Sequence, residues 1–180
     1  MNVANELTVS RILLVPLFVL CLLAGGTVWR LIALAAFCVA SLTDLLDGRL
    51  ARRRGLVTDF GKIADPLADK ALTGAALITL SALGELPAWV TAVILFREVG
   101  VTALRFWVLR RGVIAASPGG KLKTSLQILA ICLYVLPPSL SPPGIVKELV
   151  MALAVVVTLV TGADYVVRAV RLHREEPRQT

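Results

Sequence analysis

The sequence predicts an all-α integral membrane protein, and three observations on its composition support this fold class. Of the 180 residues, 57% are apolar and 17% are charged, whereas soluble domains hold about 45–50% and about 25%. The mean hydropathy is +0.83. A chain this short cannot bury so many apolar side chains in one core. Lipid must therefore cover much of the surface, which excludes a soluble globular domain and a disordered chain.

The length of the chain sets the number of helices. Crossing the hydrocarbon core takes about 20 apolar residues, so the chain has room for about six spans with short loops. We therefore expect a single membrane domain over residues 1–180. The apolar runs place the spans near residues 12–24, 28–46, 60–83, 88–109, 121–136 and 145–170.

A short N-terminal amphipathic helix is predicted ahead of the first span. Residues 2–10 mix polar and apolar side chains, with Val3, Leu7 and Val9 at loosely helical spacing. Such a helix lies in the membrane interface. The first span is not interpreted as a secretory signal, because only Arg11 precedes it as a basic residue and no cleavage site of small residues follows cleanly.

The distribution of lysine and arginine predicts the topology. One side of the predicted bundle holds Arg11 and the basic residues of segments 49–70, 105–123 and 168–178. The opposite loops hold only Arg30 and Lys147. Because cytoplasmic loops collect positive charge, we expect a multi-pass protein of the cell membrane with both termini in the cytoplasm. The same rule explains the net charge of +7, so nucleic acid is not expected as a partner.

Cysteine and histidine do not indicate a metal site. Cys21, Cys38 and Cys132 lie in apolar runs without CxxC spacing and are predicted to be packing residues. His173 lies in the basic tail, where we expect it to be solvated. A metal site in this chain would have to consist of carboxylates.

Aspartates concentrate where the second predicted helix ends and the third begins. Five of the six lie between residues 44 and 69. Asp44 and Asp47 are three residues apart, and Asp65 and Asp69 are four apart, so each pair shares a helix face. A short connection makes the two helices antiparallel neighbours. The two pairs can therefore converge at one depth, on the cytoplasmic side.

Four carboxylates in one place repel one another unless a cation neutralises them. A divalent ion such as Mg²⁺ prefers oxygen ligands, while Arg52, Lys62 and Lys70 are the counter-charges of an alternative salt-bridge network. Gly48 and Gly61 leave room for a ligand beside the acids, and Arg52 suits a phosphate. This set indicates a diphosphate site and favours phosphoryl transfer at the membrane surface.

The spacing of these residues resembles a family signature. The run Asp44-x-x-Asp47-Gly48-x-x-Ala51-Arg52, then eight residues, then Gly61-x-x-x-Asp65-x-x-x-Asp69 fills the signature of the CDP-alcohol phosphatidyltransferases. The overall layout is similar to that family along the full chain. Three stretches most resemble the bacterial members that use glycerol 3-phosphate. They are Asn5-x-x-Thr8-x-x-Arg11 with Pro16, the run Arg97-Glu98 to Arg105, and Gly120-Lys121-x-Lys123-Thr124 with Gln127.

The resemblance implies a role for each matched position. Two Mg²⁺ ions, or Mn²⁺ in their place, would be held by Asp44, Asp47, Asp65 and Asp69. Asp69 would also be the general base, although spacing alone does not separate base from ligand. The CDP part of the donor would be bound by Asn5, Gly48, Arg52 and Thr58. The implied reaction is attack of an acceptor hydroxyl on the β-phosphorus of CDP-diacylglycerol, with CMP leaving, in a homodimer.

A phosphorylated acceptor needs cations of its own. The candidates are Arg97, Arg105, Lys121, Lys123 and Arg168. Arg97 and Arg105 share a face of the predicted fourth helix, and Lys121 and Lys123 open the fifth, where backbone N–H groups also favour anions. Pairing of Arg97 with Glu98 or Asp164 is the alternative role for that residue.

Three functions follow from these patterns. The first is transfer of the phosphatidyl group from CDP-diacylglycerol to glycerol 3-phosphate, giving phosphatidylglycerophosphate and CMP. The second keeps fold and donor but uses another acceptor, namely phosphatidylglycerol, as in a cardiolipin synthase, or inositol phosphate. The third is a divalent-cation transporter, which is disfavoured because the acids cluster near one face and leave no path across the bilayer.

Overall fold

A computed structural model of the chain describes the backbone of residues 3–54, 59–109 and 118–174, and the side chains of residues 12–43, 70–104 and 120–171. These residues form helices and connecting turns, and no strand is found among them. The helices are α1 Val3–Ala24, α2 Gly26–Arg54, α3 Asp59–Ala82, α4 Ala88–Leu109, α5 Pro118–Val135 and α6 Gly144–Arg174. The predicted all-α class is thereby confirmed for the described part of the chain.

Glycine and proline mark the helix boundaries. Gly25, between α1 and α2, and Gly26, the first residue of α2, have φ angles of 70° and 72°, in the left-handed region that residues with a Cβ rarely adopt. Gly84 has a φ of 73° and turns the chain from α3 towards α4. Pro87 directly precedes α4. Proline suits the start of a helix because its fixed φ angle is close to the helical value.

The N-terminal segment differs from its prediction. We expect a separate interfacial helix before the first span, but residues 3–24 form the single helix α1. No glycine or proline separates the two parts, and Pro16, which has no backbone N–H to donate to the carbonyl of Ile12, does not end the helix. Two other helices extend past their predicted ends, α2 to Arg54 and α6 to Arg174, because arginine, leucine and alanine favour the helix.

Apolar surface gives the molecule its membrane character. Among the described residues, Gly26–Thr43 of α2 and Gly144–Arg171 of α6 are long and apolar enough to cross a bilayer. Ile12–Ala24 and Lys70–Ala82 are shorter apolar stretches. Large apolar side chains also point outward, and Phe96 is 84% exposed. Exposed apolar surface on this scale fits a protein that associates with membranes.

The helices pack in two groups that share one core. Helix α1 contacts α2 and α3, and α6 contacts α4 and α5, while α2–α5 and α3–α4 contacts join the groups. The rings of Phe18 and Phe37 lie 5.6 Å apart, centroid to centroid, and both are fully buried. Between α2 and α5 the Sγ atoms of Cys38 and Cys132 are 3.8 Å apart. All three cysteines are free.

Arg30 ties three segments together at the end of the bundle opposite the aspartates. The sequence predicts Arg30 as a loop charge, but it lies in α2 and is only 9% exposed. Its guanidinium pairs with Glu85 in the turn between α3 and α4. It also donates hydrogen bonds to the carbonyls of Tyr134 and Leu136, at 3.4 and 3.3 Å, where α5 ends. Arg30 therefore links α2 to the turn after α3 and to the end of α5.

Candidate active site

The four aspartates of the signature lie on two helices that contact each other. Asp44 and Asp47 are near the end of α2, and Asp65 and Asp69 are near the start of α3. Both stretches have a helical backbone, so each pair is one turn apart on one helix face. Helices α2 and α3 are in contact. The aspartate side chains lie outside the described residues, so the meeting of the two acidic helix ends stays a prediction.

The residues predicted to bind the CDP group also fall outside the described side chains. Asn5 lies on α1, and Gly48 and Arg52 lie on α2, with the backbone alone described. Thr58 lies outside the described backbone as well. The metal site and the CDP site therefore stay predictions from the sequence signature.

A buried group of polar side chains lies between α3, α4, α5 and α6. Its member on α3 is Lys70, the residue that follows Asp69 in the chain. We call this group the Glu98 cluster. Its members are Lys70, Arg97, Glu98, Lys123, Gln127, Thr158 and Thr161. Thr158 is fully buried, and Lys123 and Gln127 are nearly so. Polar and charged groups are found at such depth when they satisfy one another's hydrogen bonds.

Arg97 is held mainly by helix α6. Its Nε donates a hydrogen bond of 3.1 Å to the carbonyl of Thr158, and its Nη2 donates one of 2.9 Å to Oγ1 of Thr161. Its Nη1 lies 3.2 Å from Oε1 of Glu98. Gly162 leaves the necessary space, because a Cβ there would lie 3.1 Å from Cγ and Nε of Arg97. Three neighbours therefore fix the guanidinium in one position.

Glu98 connects the two lysines of the cluster. Its carboxylate pairs with Nζ of Lys123, which comes from α5. Its backbone carbonyl accepts hydrogen bonds from Nζ of Lys70 at 3.4 Å and from Oγ1 of Thr102 at 2.7 Å. Gln127 adds a link from α5 to α6, since its Nε2 donates to Oγ1 of Thr158 at 3.0 Å.

The contacts of the described side chains join two of the five cations predicted for the acceptor. Arg97 and Lys123 meet at Glu98. Lys121 is exposed near the start of α5. Arg168 pairs with Asp164 one turn earlier on α6, at 3.0 Å, and both side chains are about half exposed. Arg105 lies on α4 with its side chain outside the described residues. Contact of these residues with an acceptor stays a prediction.

Five cluster residues are not among the predicted site residues. Lys70, Glu98 and Gln127 are named in the sequence analysis in other roles, while Thr158 and Thr161, and Gly162 beside the cluster, carry no prediction. The sequence does contain a signal for Glu98, because an ionisable residue inside an apolar helix usually has a partner and a function. No comparable signal marks Thr158 or Gly162, whose importance comes from the position of Arg97 on another helix.

Comparison with known proteins places this arrangement in context. The family model of the CDP-alcohol phosphatidyltransferases matches residues 1–160. A probable phosphatidylglycerophosphate synthase of Mycobacterium tuberculosis is 54% identical over 173 residues, which cover 94% of this chain and 82% of that protein. The CDP-diacylglycerol–glycerol-3-phosphate 3-phosphatidyltransferases of Bacillus subtilis and Rickettsia typhi are 41% and 36% identical. These two matches cover 91% of this chain and 93% and 94% of the relatives.

Proposed function

Because the chain belongs to the CDP-alcohol phosphatidyltransferase family, we propose that it transfers the phosphatidyl group of CDP-diacylglycerol to glycerol 3-phosphate. The products are phosphatidylglycerophosphate and CMP, a step of phospholipid biosynthesis. The observation that carries this proposal is the identity of 54% and 41% with two relatives named for this reaction, along more than nine tenths of the chain. Residue chemistry supports it at two places, the aspartate helices and the Glu98 cluster.

The aspartate helices are suited to a divalent metal. Carboxylates are the hard oxygen donors that Mg²⁺ prefers, and two pairs of them lie on helices that contact each other. Asp44, Asp47, Asp65 and Asp69 would hold two Mg²⁺ ions, with Mn²⁺ as the alternative. When bound, the metal neutralises the diphosphate of the donor and stabilises the charge that develops on CMP.

The chain itself supplies binding and proton transfer. Asn5, Gly48, Arg52 and Thr58 bind the CDP part of the donor. Asp69 takes the proton of the acceptor hydroxyl as general base. The hydroxyl oxygen then forms a bond to the β-phosphorus, and the bond from that phosphorus to the CMP oxygen breaks.

The acceptor phosphate is bound on the side of the Glu98 cluster. Arg97, Arg105, Lys121, Lys123 and Arg168 are the proposed contacts. Support comes from the meeting of Arg97 and Lys123 at Glu98. Lys70 adds a link, because it follows Asp69 in the chain and reaches the carbonyl of Glu98. An acceptor held there by its phosphate would have its hydroxyl group close to the proposed base.

The membrane arrangement is part of the same proposal. The protein is a multi-pass enzyme of the cell membrane with six spanning helices, cytoplasmic termini and a cytoplasmic active site, and it forms a homodimer. The orientation is supported by the basic residues of segments 49–70 and 105–123, at the α2–α3 and α4–α5 connections on the aspartate side of the bundle. Exposed apolar side chains such as Phe96 support contact with lipid or with a second copy.

A CMP-release assay tests the function. Purified protein is incubated with CDP-diacylglycerol, Mg²⁺ and one acceptor at a time, namely glycerol 3-phosphate, phosphatidylglycerol or inositol phosphate. We expect CMP release with glycerol 3-phosphate alone. Release with another acceptor only would replace the acceptor and keep the reaction class. Absence of CMP with every acceptor would refute both enzyme hypotheses and favour cation transport, to be measured as Mn²⁺ uptake into proteoliposomes.

A further inference from the structure

Two cavities lie side by side at the end of the bundle opposite the aspartates, away from the proposed active site. Their volumes are about 330 and 650 Å³, and ligand sites in proteins usually measure about 300–1,000 Å³. Glu85, Tyr134 and Lys147 line both cavities, so these three residues form the boundary between them. We call the two cavities together the Tyr134 cleft.

The two cavities of the cleft differ in the chemistry of their walls. The smaller one carries the polar side chains of Arg30, Glu85, Ser141 and Lys147. The larger one lies between the starts of α4 and α6, and its apolar wall consists of Leu86, Trp89, Val90, Met151, Ala152 and Val155. A ligand that fills both cavities therefore has a polar head and an apolar tail.

The hydroxyl group of Tyr134 is a buried polar group that the protein does not satisfy. Tyr134 is only 4% exposed. The ammonium of Lys147 lies over its ring, with Nζ 5.0 Å from the ring centroid, which is the distance of a cation–π contact. Among the described residues, none forms a hydrogen bond with the Tyr134 hydroxyl. Buried tyrosine hydroxyls normally have a partner, and an oxygen atom of a ligand in the cleft would supply it.

The charges of the smaller cavity favour a ligand with one negative charge. Arg30 and Glu85 neutralise each other in their ion pair. Lys147 contacts the ring of Tyr134 and, within the described part of the chain, pairs with no carboxylate. The cavity therefore retains one positive charge, which matches a phosphodiester. Glu148, which lines the larger cavity and is exposed, disfavours the higher negative charge of a phosphate monoester.

Two tryptophans indicate the level of the cleft in a membrane. Trp29 and Trp89 lie near the starts of α2 and α4, and they are 50% and 62% exposed. Tryptophan is enriched where the lipid headgroups meet water. The Tyr134 cleft, which Trp89 lines, therefore lies at the level of the headgroups, at the membrane face away from the aspartates.

From these observations we propose that the Tyr134 cleft binds one phospholipid of that leaflet. The ammonium of Lys147 and the hydroxyl of Tyr134 hold its phosphodiester, and an acyl chain lies along the apolar wall beside Trp89. The apolar wall favours a lipid over a free phosphodiester. Because the cleft contains none of the residues of the proposed active site, the inference does not rest on the proposed function.

Native mass spectrometry of the full chain in detergent measures the dissociation constant of such a lipid. The probe is dioleoyl phosphatidylethanolamine, which is neither substrate nor product of the proposed reaction. Dioleoylglycerol, which has the same chains without phosphate, should bind about tenfold more weakly. Glycerophosphoethanolamine, which has the same headgroup without chains, should bind at least about 100-fold more weakly.

Variants of the two proposed phosphate contacts locate the lipid. We expect Lys147→Met to weaken phospholipid binding about tenfold, by loss of a charge-assisted hydrogen bond, and Tyr134→Phe to weaken it about fivefold, by loss of a neutral one. Lys147→Arg keeps the charge and should stay within about threefold of the wild type. Arg171→Met removes an exposed cation at the other end of α6 and should bind the lipid as the wild type does.

Thermal unfolding separates lipid binding from folding. Because the Tyr134 hydroxyl has no partner among the described residues, Tyr134→Phe should not lower the midpoint of unfolding in lipid-free detergent. The same substitution should reduce the increase in the midpoint that the phospholipid causes in the wild type. A lower midpoint without lipid would mean that the hydroxyl is bonded inside the protein, which contradicts the inference.

Three binding results would also overturn the inference. Equal affinity for dioleoylglycerol and the phospholipid would exclude recognition of the phosphate. Equal affinity for the free headgroup would exclude a lipid as the ligand. Wild-type affinity in both Lys147→Met and Tyr134→Phe would place the lipid elsewhere, and if Lys147→Met does not fold, Tyr134→Phe decides alone. CMP release tests the proposed function separately, so the two can fail independently.

Discussion

Gly162 of α6 leaves the space that the side chain of Arg97 from α4 fills. A Cβ at position 162 would lie 3.1 Å from both Cγ and Nε of Arg97, which is closer than such atoms normally pack. Arg97 cannot easily move away, because Thr158 and Thr161 hold its guanidinium on the same helix as Gly162. The glycine therefore determines where a proposed acceptor contact lies.

Enlarging Gly162 should displace Arg97. We expect Gly162→Leu to raise the KM for glycerol 3-phosphate about tenfold through loss of a charged hydrogen bond, and Gly162→Ala to have a smaller effect in the same direction. Steady-state CMP release measures both. Gly100→Ala is the matched control, because a Cβ at that helical glycine meets nothing within 4 Å. Wild-type kinetics in Gly162→Leu would contradict the prediction.

Removing the proposed base should abolish turnover and spare donor binding. We expect Asp69→Asn to lower kcat by about 10²–10⁴, the contribution of general base catalysis, while CDP-diacylglycerol binding is partly kept because three other aspartates remain. CMP release and binding of labelled donor are the two measurements. Glu148→Gln, which removes a carboxylate on the exposed start of α6, serves as control. A near-normal rate in Asp69→Asn would show that another group is the base.

Breaking the ion pair between Arg30 and Glu85 should destabilise the fold. Their side chains are 11% and 28% exposed. The decrease in the free energy of unfolding caused by Glu85→Gln should therefore lie between two values. Breaking an exposed pair costs less than about 1 kcal/mol, and breaking a fully buried pair costs about 3–5 kcal/mol. Thermal unfolding in detergent micelles measures the change in the free energy of unfolding.

The exposed pair of Arg168 and Asp164 provides the comparison for this experiment. Both side chains are about half exposed and lie one turn apart on α6, so Asp164→Asn should cost no more than about 0.5 kcal/mol. Equal losses in Asp164→Asn and Glu85→Gln would mean that burial of Arg30 does not strengthen its pair.

The packing of α2 on α5 should be detectable by cross-linking. The Sγ atoms of Cys38 and Cys132 are in contact at 3.8 Å. Oxidation by oxygen with copper phenanthroline should therefore remove one hydrogen from each thiol and form a disulfide bond between the two sulfur atoms within one chain. Maleimide labelling after denaturation should then detect Cys21 alone. Cys38→Ser should keep Cys132 labelled, and labelling of all three cysteines after oxidation would contradict the packing of α2 on α5.

Local sequence is enough to place most of the helices. The prediction for α4, residues 88–109, agrees with the structure at both ends, because Pro87 and the apolar run are local signals. The N-terminal segment shows the limit of this approach. A change from mixed to apolar composition after Arg11 predicts two helices. A change in hydropathy does not by itself end a helix, however, and α1 is continuous.

The sequence by itself determined the membrane character and the aspartate signature, because composition and i, i+3 or i, i+4 spacing are properties of neighbouring residues. Tertiary structure alone decided which cations meet. Lys123 and Gln127 of α5 and Arg97 and Glu98 of α4 come together because both helices pack against α6. Glu98 and Lys123, for example, are 25 positions apart. Helix packing determines such contacts, and the local spacing of residues does not encode it.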